Sequence, residues 1–194
     1  MGSHDEMMNR MIQKAHDGFR CIKIKIGAID FEQELNIIKS VRAIFDNKEI
    51  ELRLDANGGF SPDEALNKLN ALAKYNIHSV EQPIKQHQWY EMERICRLSP
   101  IPIALDEELI GINKSADKKS MLETIRPQYI ILKPTLHGSF TGCEEWIDLA
   151  QRLDIGYWIT SALESNIGLN AIAQWAAALN PVLPQGLGTG ALFT

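Results

Sequence analysis

Lys23 and Lys25, then Asp55, Glu81 and Asp106, then Lys133 each stand at or near the end of a short apolar run, most of them about 25 to 30 residues apart. Three carboxylates brought together repel one another unless a cation joins them. An oxygen-only set with room left for water or substrate suits magnesium, with manganese acceptable, better than zinc, which prefers nitrogen and sulfur. A metal held there can grip a substrate carboxylate and stabilise the enediolate left when a neighbouring proton is removed. Near such a cation and near Lys23, the Lys25 ammonium is expected to have a lowered pKa, which makes it a candidate base, and Lys133 flanks the trio on its other side. Arg53, Asn57 and Glu107, together with Lys23, read as groups supporting the ligands, and Glu108 as solvated. Taken singly, any of these charges could belong to a salt-bridge network that only braces the fold. Their order along the chain, lysine, three carboxylates, lysine, favours a site.

The spacing is that of one strand plus one helix. Ser3 and Glu6 form a capping box, followed by the apolar stripe Met7, Met8, Met11 and Ile12, so a helix is expected to about His16. Asp17-Gly18 breaks it. From Arg20 to Ile26 the pattern alternates strictly, with Ile22, Ile24 and Ile26 on one face and Lys23 and Lys25 on the other, which is the period of a strand. A helix from Asp30 to about Phe45 and a strand carrying Ile50, Leu52 and Leu54 repeat the unit. Ser61-Pro62-Asp63-Glu64 starts a helix through about Tyr75. Strands follow at Ile77–Val80, Ile101–Leu105, Tyr129–Leu132 and Gly156–Thr160, and helices near Trp89–Leu98, Ser115–Ile125, Thr141–Leu153 and Asn166–Leu179. Pro184 to Gly190 reads as a loop around a final short strand.

Such alternation requires a parallel sheet, because each crossover returns the chain to the sheet with the same hand. No G-x-G-x-x-G or G-x-x-x-x-G-K follows an early strand, as a doubly wound sheet would favour. Polar residues at many strand ends instead suit a barrel, whose chemistry sits at one rim. Parity places the isoleucines outward under the helices and Lys23, Lys25, Arg53, Asp55 and Asn57 inward. Buried charges of that kind demand opposite partners or a metal.

The chain of 194 residues is 45% hydrophobic and 23% charged, enough for one sizeable core in one domain over 1–194. Its net charge of -5 with scattered lysines offers no basic stripe for nucleic acid. Cys21, Cys96 and Cys143 are odd in number and widely spaced, which argues against a disulfide framework or zinc site and for a reducing, cytoplasmic setting. No apolar run is long enough to span a bilayer, so no membrane partner is expected. The histidines, His4, His16, His78, His87 and His137, lack ligand spacing and read mostly as surface or loop residues.

Lys23-Ile24-Lys25, Arg53-Leu54-Asp55-Ala56-Asn57, Val80-Glu81-Gln82-Pro83, Asp106-Glu107 and Leu132-Lys133-Pro134, in this order, resemble the enolase superfamily in its muconate-lactonising branch, most closely the o-succinylbenzoate synthases. Ser161-Ala162-Leu163-Glu164-Ser165 matches the segment of the seventh strand and Gly186 to Gly190 that of the eighth. The resemblance implies a modified (β/α)7β barrel, with magnesium on Asp55, Glu81 and Asp106 and with Lys25 and Lys133 facing the substrate from two sides. It implies a syn dehydration of 2-succinyl-6-hydroxy-2,4-cyclohexadiene-1-carboxylate to 2-succinylbenzoate, a step of menaquinone biosynthesis. Lys25 would remove the alpha proton and then help expel the hydroxyl, while Lys133 stays protonated. Ser161 and the amides around Gly188 would hold the succinyl carboxylate.

Against that family pattern the first strand and the α+β capping domain are expected to be missing, leaving an incomplete barrel. Such a barrel, even as a non-catalytic fragment, could pair with itself through exposed strand edges or the surface the cap would cover. Racemases, dipeptide epimerases and muconate cycloisomerases of the same superfamily share the lysines and metal site. Gln185 to Thr194 holds none of the acidic residues a dipeptide epimerase needs there, whereas N-succinylamino acid racemisation stays open. A Schiff-base aldolase using Lys133 would leave the carboxylates without a purpose.

Overall fold

The computed structural model describes residues 4–189, with side chains from residue 7 onward. These residues gather into two compact units, one ending at Ile103 and one beginning at Ala104. The capping box of Ser3 and Glu6 and the end of the eighth-strand segment, Gly190, lie outside the residues and side chains described.

The N-terminal unit opens with α1 (His4–His16), which buries Met8 and Met11. Strand β1 (Cys21–Lys25) follows, then α2 (Phe31–Ile44), β2 (Glu51–Asp55), α3 (Pro62–Leu72), β3 (Ser79–Glu81) and α4 (Trp89–Leu98). The alternating lysines and isoleucines give a β1 one residue shorter at each end than expected. Even so, Ile26 N–H still donates to Asp55 O at 2.8 Å and Arg20 O accepts from Glu51 N–H at 2.8 Å, so the parallel ladder extends past both ends. Asp30 caps α2 by accepting from Glu32 and Gln33 N–H, and Glu64 accepts the Ser61 N–H at the start of α3. The last turn expected of α3 tightens to a 3-10 turn at Ala73–Tyr75, closed by Asn76 in the left-handed region. β3 comes two residues later than the apolar pattern suggests. Its ladder starts with His78 N–H on Leu52 O, and the strand ends on Glu81.

Register in this unit is parallel and regular: Lys23 pairs with Arg53, Lys25 with Asp55, and Asp55 with Glu81. Leu52, Leu54 and Val80 on the opposite face are fully buried with Ile38, Val41, Leu69 and Met92. Apolar burial on that face is what forces the lysines and carboxylates to share the other one.

β4 (Ile103–Leu105) spans the division between the units, and the second continues with α5 (Ser115–Ile125), β5 (Tyr129–Leu132), α6 (Ser139–Arg152), β6 (Gly156–Ile159) and α7 (Asn166–Leu179). β4 to β6 again pair in parallel, with Leu105 on Ile130 and Leu132 on Ile159. A 3-10 turn, Glu107–Leu109, follows Asp106 and turns Glu108 completely inside. That corrects the expectation of a solvated side chain: in a three-residue repeat Glu108 and Leu109 rotate together toward the interior. α6 begins two residues early because Gly138 takes the left-handed cap position. The expected final strand is a single parallel bridge, Thr160 to Gly186, fixed by Gly186 N–H on Ile159 O at 2.8 Å. Among the described residues, no helix is long and apolar enough to cross a membrane.

Candidate active site

In the N-terminal unit the parallel register sets Lys25, Asp55 and Glu81 in one row at the ends of β1, β2 and β3. Asp55 is 1% and Glu81 2% exposed. Both carboxylates are met by ammonium groups: Lys23 Nζ lies 3.0 Å from Asp55 Oδ2 and 3.0 Å from Glu81 Oε2. Lys25 Nζ lies 3.3 Å from Asp55 Oδ2 and 2.5 Å from Asn57 Oδ1. Asn57 also donates its backbone N–H to Asp55 Oδ1, so it orients the carboxylate and the lysine together. Burial works against the charge on Lys23, but Glu81 and Asp55 more than offset it, and its pKa rises. Burial likewise opposes the charge on Asp55, yet Lys23, Lys25 and the Asn57 N–H hold that carboxyl below its ordinary value.

Arg53 is directed to Glu51, with Nε at 2.8 Å and Nη2 at 2.7 Å from Oε1. Glu51 also accepts from the Cys21 thiol at 3.2 Å. Burial pushes that thiol up to about 12. A second polar layer therefore underlies the row of Lys25, Asp55 and Glu81.

In the C-terminal unit Asp106 directly follows β4 and Lys133 directly follows β5. They form an ion pair in which Asp106 is 1% exposed. Lys133 N–H donates to His137 Nδ1 at 3.0 Å, and His137 N–H returns to Lys133 O at 3.1 Å, closing a tight turn behind the lysine. His137 is thus buried rather than on a loop surface, and burial drives its pKa down to about 4. Lys118, fully buried on α5, donates to Gly142 O at 3.0 Å and Glu145 Oε2 at 2.8 Å, holding the first turn of α6. Glu107 starts the 3-10 turn beside Asp106.

Ser161 and Gly188 lie after β6 and in an exposed turn. The Ser161 hydroxyl donates to Glu164 Oε2 at 2.5 Å and accepts from Leu163 N–H at 3.0 Å. Glu164 also accepts from Thr135 Oγ1, so it ties the loop after β6 to the loop after β5. The Ser161 side chain is engaged in holding that loop.

The sequence did not single out Glu34 or Lys118, and His137 was expected at the surface. A signal existed for two of them. Glu34 precedes Ile37, Ile38 and Val41, and Lys118 precedes Met121, Leu122 and Ile125, all buried, so each charge stands at the head of an apolar helical stripe. His137 carried no comparable pattern.

Among the described residues no three His, Cys, Asp or Glu side chains are gathered as a metal-ion cluster; lysines answer the carboxylates in each unit. The donor chemistry nonetheless fits a hard divalent cation. Asp55 and Glu81 present only oxygen, are almost fully desolvated, and already draw positive charge to about 3 Å.

The family described as enolase C-terminal domain-like matches residues 6–190. An o-succinylbenzoate synthase of Desulfotalea psychrophila is 52% identical over 194 residues, which are 100% of this chain and 52% of that relative. The crystal structure of MenC from the same organism superposes with a TM-score of 0.92 at 50% identity, over 98% of this chain and 52% of that one. An L-Ala-D/L-Glu epimerase of Bacillus subtilis is 26% identical over 180 residues, 92% of this chain and 48% of the relative. The chain spans about half the length of the curated relatives it matches.

Proposed function

Because this chain belongs to the enolase C-terminal domain-like family, we propose that it forms the barrel part of an o-succinylbenzoate synthase, a cytoplasmic carbon–oxygen lyase of menaquinone biosynthesis. The reaction would convert 2-succinyl-6-hydroxy-2,4-cyclohexadiene-1-carboxylate to 2-succinylbenzoate and water. The observation that carries the reading is the register row Lys25, Asp55 and Glu81 at three strand ends, in a chain 52% identical to a relative of that name.

Asp55, Glu81 and Asp106 would hold magnesium, which supplies positive charge to the substrate carboxylate as its alpha proton departs. Lys25, deprotonated, takes that proton on Nζ. The C–O bond of the ring hydroxyl then breaks, and the Lys25 ammonium returns the proton to the departing oxygen, so that water leaves and the ring becomes aromatic. One base serving both steps needs proton and hydroxyl on the same face, which defines a syn elimination. Lys25 is suited to this by its exposure: its side chain is 59% accessible and reaches Asn57 and Asp55 without being enclosed by them. Lys133, partly exposed and paired with Asp106, would contribute positive charge without taking the proton. Lys23, bridging Asp55 and Glu81, offsets the repulsion between the two carboxylates.

The test is to supply the full-length protein with the cyclohexadiene acid and magnesium, and in parallel with N-succinyl amino acids. Formation of 2-succinylbenzoate, abolished by chelation and by Asp55→Asn, supports the reading. Racemisation of the amino acids without any aromatic product would replace it.

A further inference from the structure

We infer that Glu34 is a positioning residue for Lys25, given the role proposed for that lysine: its buried carboxylate seats the loop that carries the lysine's backbone into the site. Glu34 lies at the head of the buried stripe of α2 and is only 4% exposed. A carboxylate is kept in such a place only when strong donors meet it. Here they are the N–H groups of Gly27, Ala28 and Ile29, at 2.6, 3.1 and 3.4 Å from the same oxygen, Oε1. Successive backbone N–H groups converging on one point form a nest for an anion, and Glu34 fills it from within the chain.

Gly27 stands two residues after Lys25 and connects this seat to the second loop of the site. Its φ is +84°, and a Cβ there would lie 2.9 Å from Ala56 O and 3.2 Å from Gly59 Cα. A Cβ on Gly59 would in turn lie 2.6 Å from Gly27 O. The loops after β1 and β2 therefore touch backbone to backbone, and the second of them contains Asn57. The Lys25 side chain is more than half exposed and its ammonium is held at Asp55 Oδ2 and Asn57 Oδ1, so a shift of the Gly27–Ile29 loop moves the lysine against both partners.

The experiment uses the full-length protein with Glu34→Ala and Glu34→Gln. It compares amide hydrogen exchange at Gly27 and Ala28, the 15N signal of the Lys25 side chain (assigned through Lys25→Arg), and kcat and KM for the dehydration. In Glu34→Ala the amides should exchange about tenfold to a hundredfold faster, the Lys25 signal should move, and kcat should fall by about tenfold to a hundredfold with KM nearly unchanged. Formate, small enough to occupy the vacated nest, should restore all three, and chloride at equal ionic strength should not. Glu34→Gln, which keeps an uncharged oxygen and spares the fold if Glu34→Ala unfolds, should shift each readout the same way by a smaller factor. Loosened amides with an unmoved Lys25 signal and unchanged kcat in either variant would overturn the inference, as would amide protection restored by formate without recovery of the Lys25 signal. If the wild-type protein turns over no cyclohexadiene acid, the proposed function fails, and amide exchange with the Lys25 signal still decides the role of Glu34.

Discussion

The lysine-bearing face of the N-terminal unit is polar along the length of its strands, whereas in the C-terminal unit charge is confined to the strand ends. Below Lys25, Asp55 and Glu81 lie Lys23, Arg53, Glu51 and Cys21, linked by ion pairs and a thiol hydrogen bond. In step with Asp106 and Lys133, by contrast, lie Ala104, Ile131 and Trp158, packed into one buried cluster with Tyr129 and Leu183 against it. The first arrangement stabilises by mutual charge compensation and the second by excluded water. The two units also set buried charges of opposite sign against the backbone near their lysine strands. Glu34 gathers backbone N–H groups after β1, while Lys118 binds a backbone carbonyl at the start of α6 and His137 holds the Lys133 turn. A loop can be pinned through its donors or its acceptors, and the helix that packs on it need only supply the complementary charge.

This contrast can be broken or sharpened, and the sharpest break lies in activity. Lys25→Ala in the full-length protein should lower kcat by about a hundredfold to ten-thousandfold while leaving the unfolding midpoint near that of the wild type, because the side chain is mostly exposed. Turnover close to wild type would remove Lys25 from the chemistry. Trp158→Ala should destabilise by about 3–5 kcal/mol in urea unfolding, since it empties the centre of the apolar cluster. A loss below 1 kcal/mol would mean that the cluster contributes little.

Acid should separate the two regions. The folded-state pKa of His137, about 4, lies below the ordinary value of 6.5, so protonation favours the unfolded chain. The stability associated with a neutral His137 is complete above pH 6.5 and is lost as pH falls toward 4, by about 3 kcal/mol in all. His137→Asn, whose side-chain oxygen can accept the Lys133 N–H, should flatten that slope in denaturant titrations run from pH 7 to 4. Across the same interval the Lys23 and Asp55 pair should hold. The Asp55 pKa is lowered, so its contribution persists until pH falls through that lower value. The Lys23 pKa is raised, so its contribution is lost only when pH climbs past the ordinary lysine range. Hydrogen exchange at pH 5 should therefore rise in β5 and its following loop before it rises in β1 and β2. The smallest effect is expected for Glu51→Ala, about 1–3 kcal/mol, because it removes the ion-pair partner of the buried Arg53; an unchanged unfolding free energy would show that this polar layer is passive.

The elements were legible wherever a period was strong. Strict alternation from Arg20 to Ile26 placed β1 within one residue at each end, and the Pro62 and Glu64 signals started α3 correctly. Boundaries slipped where local backbone bonds outweigh hydrophobic pattern, as at β3, which ends on the charged Glu81, and at α6, which starts from a left-handed glycine. Glu108 was misread because a charged residue after a strand carries no mark of the 3-10 turn that buries it. Ser161 was expected only through the resemblance, as a holder of the succinyl carboxylate, and its engagement by Glu164 had no mark in the sequence.

Sequence alone determined which residues carry charge at the strand ends and on which face they lie, because a period of two leaves only two faces and the apolar residues must take the covered one. Tertiary structure decided what those charges touch: that Lys23 bridges Asp55 and Glu81, that Arg53 turns to Glu51, and that Glu34 and His137 pin the loops behind the two lysines. The physical reason is range. Periodicity is a property of neighbours along one chain segment, whereas a buried charge is satisfied by whichever donor or acceptor the packing of separate segments brings within 3 Å or so, and no local pattern encodes that distance.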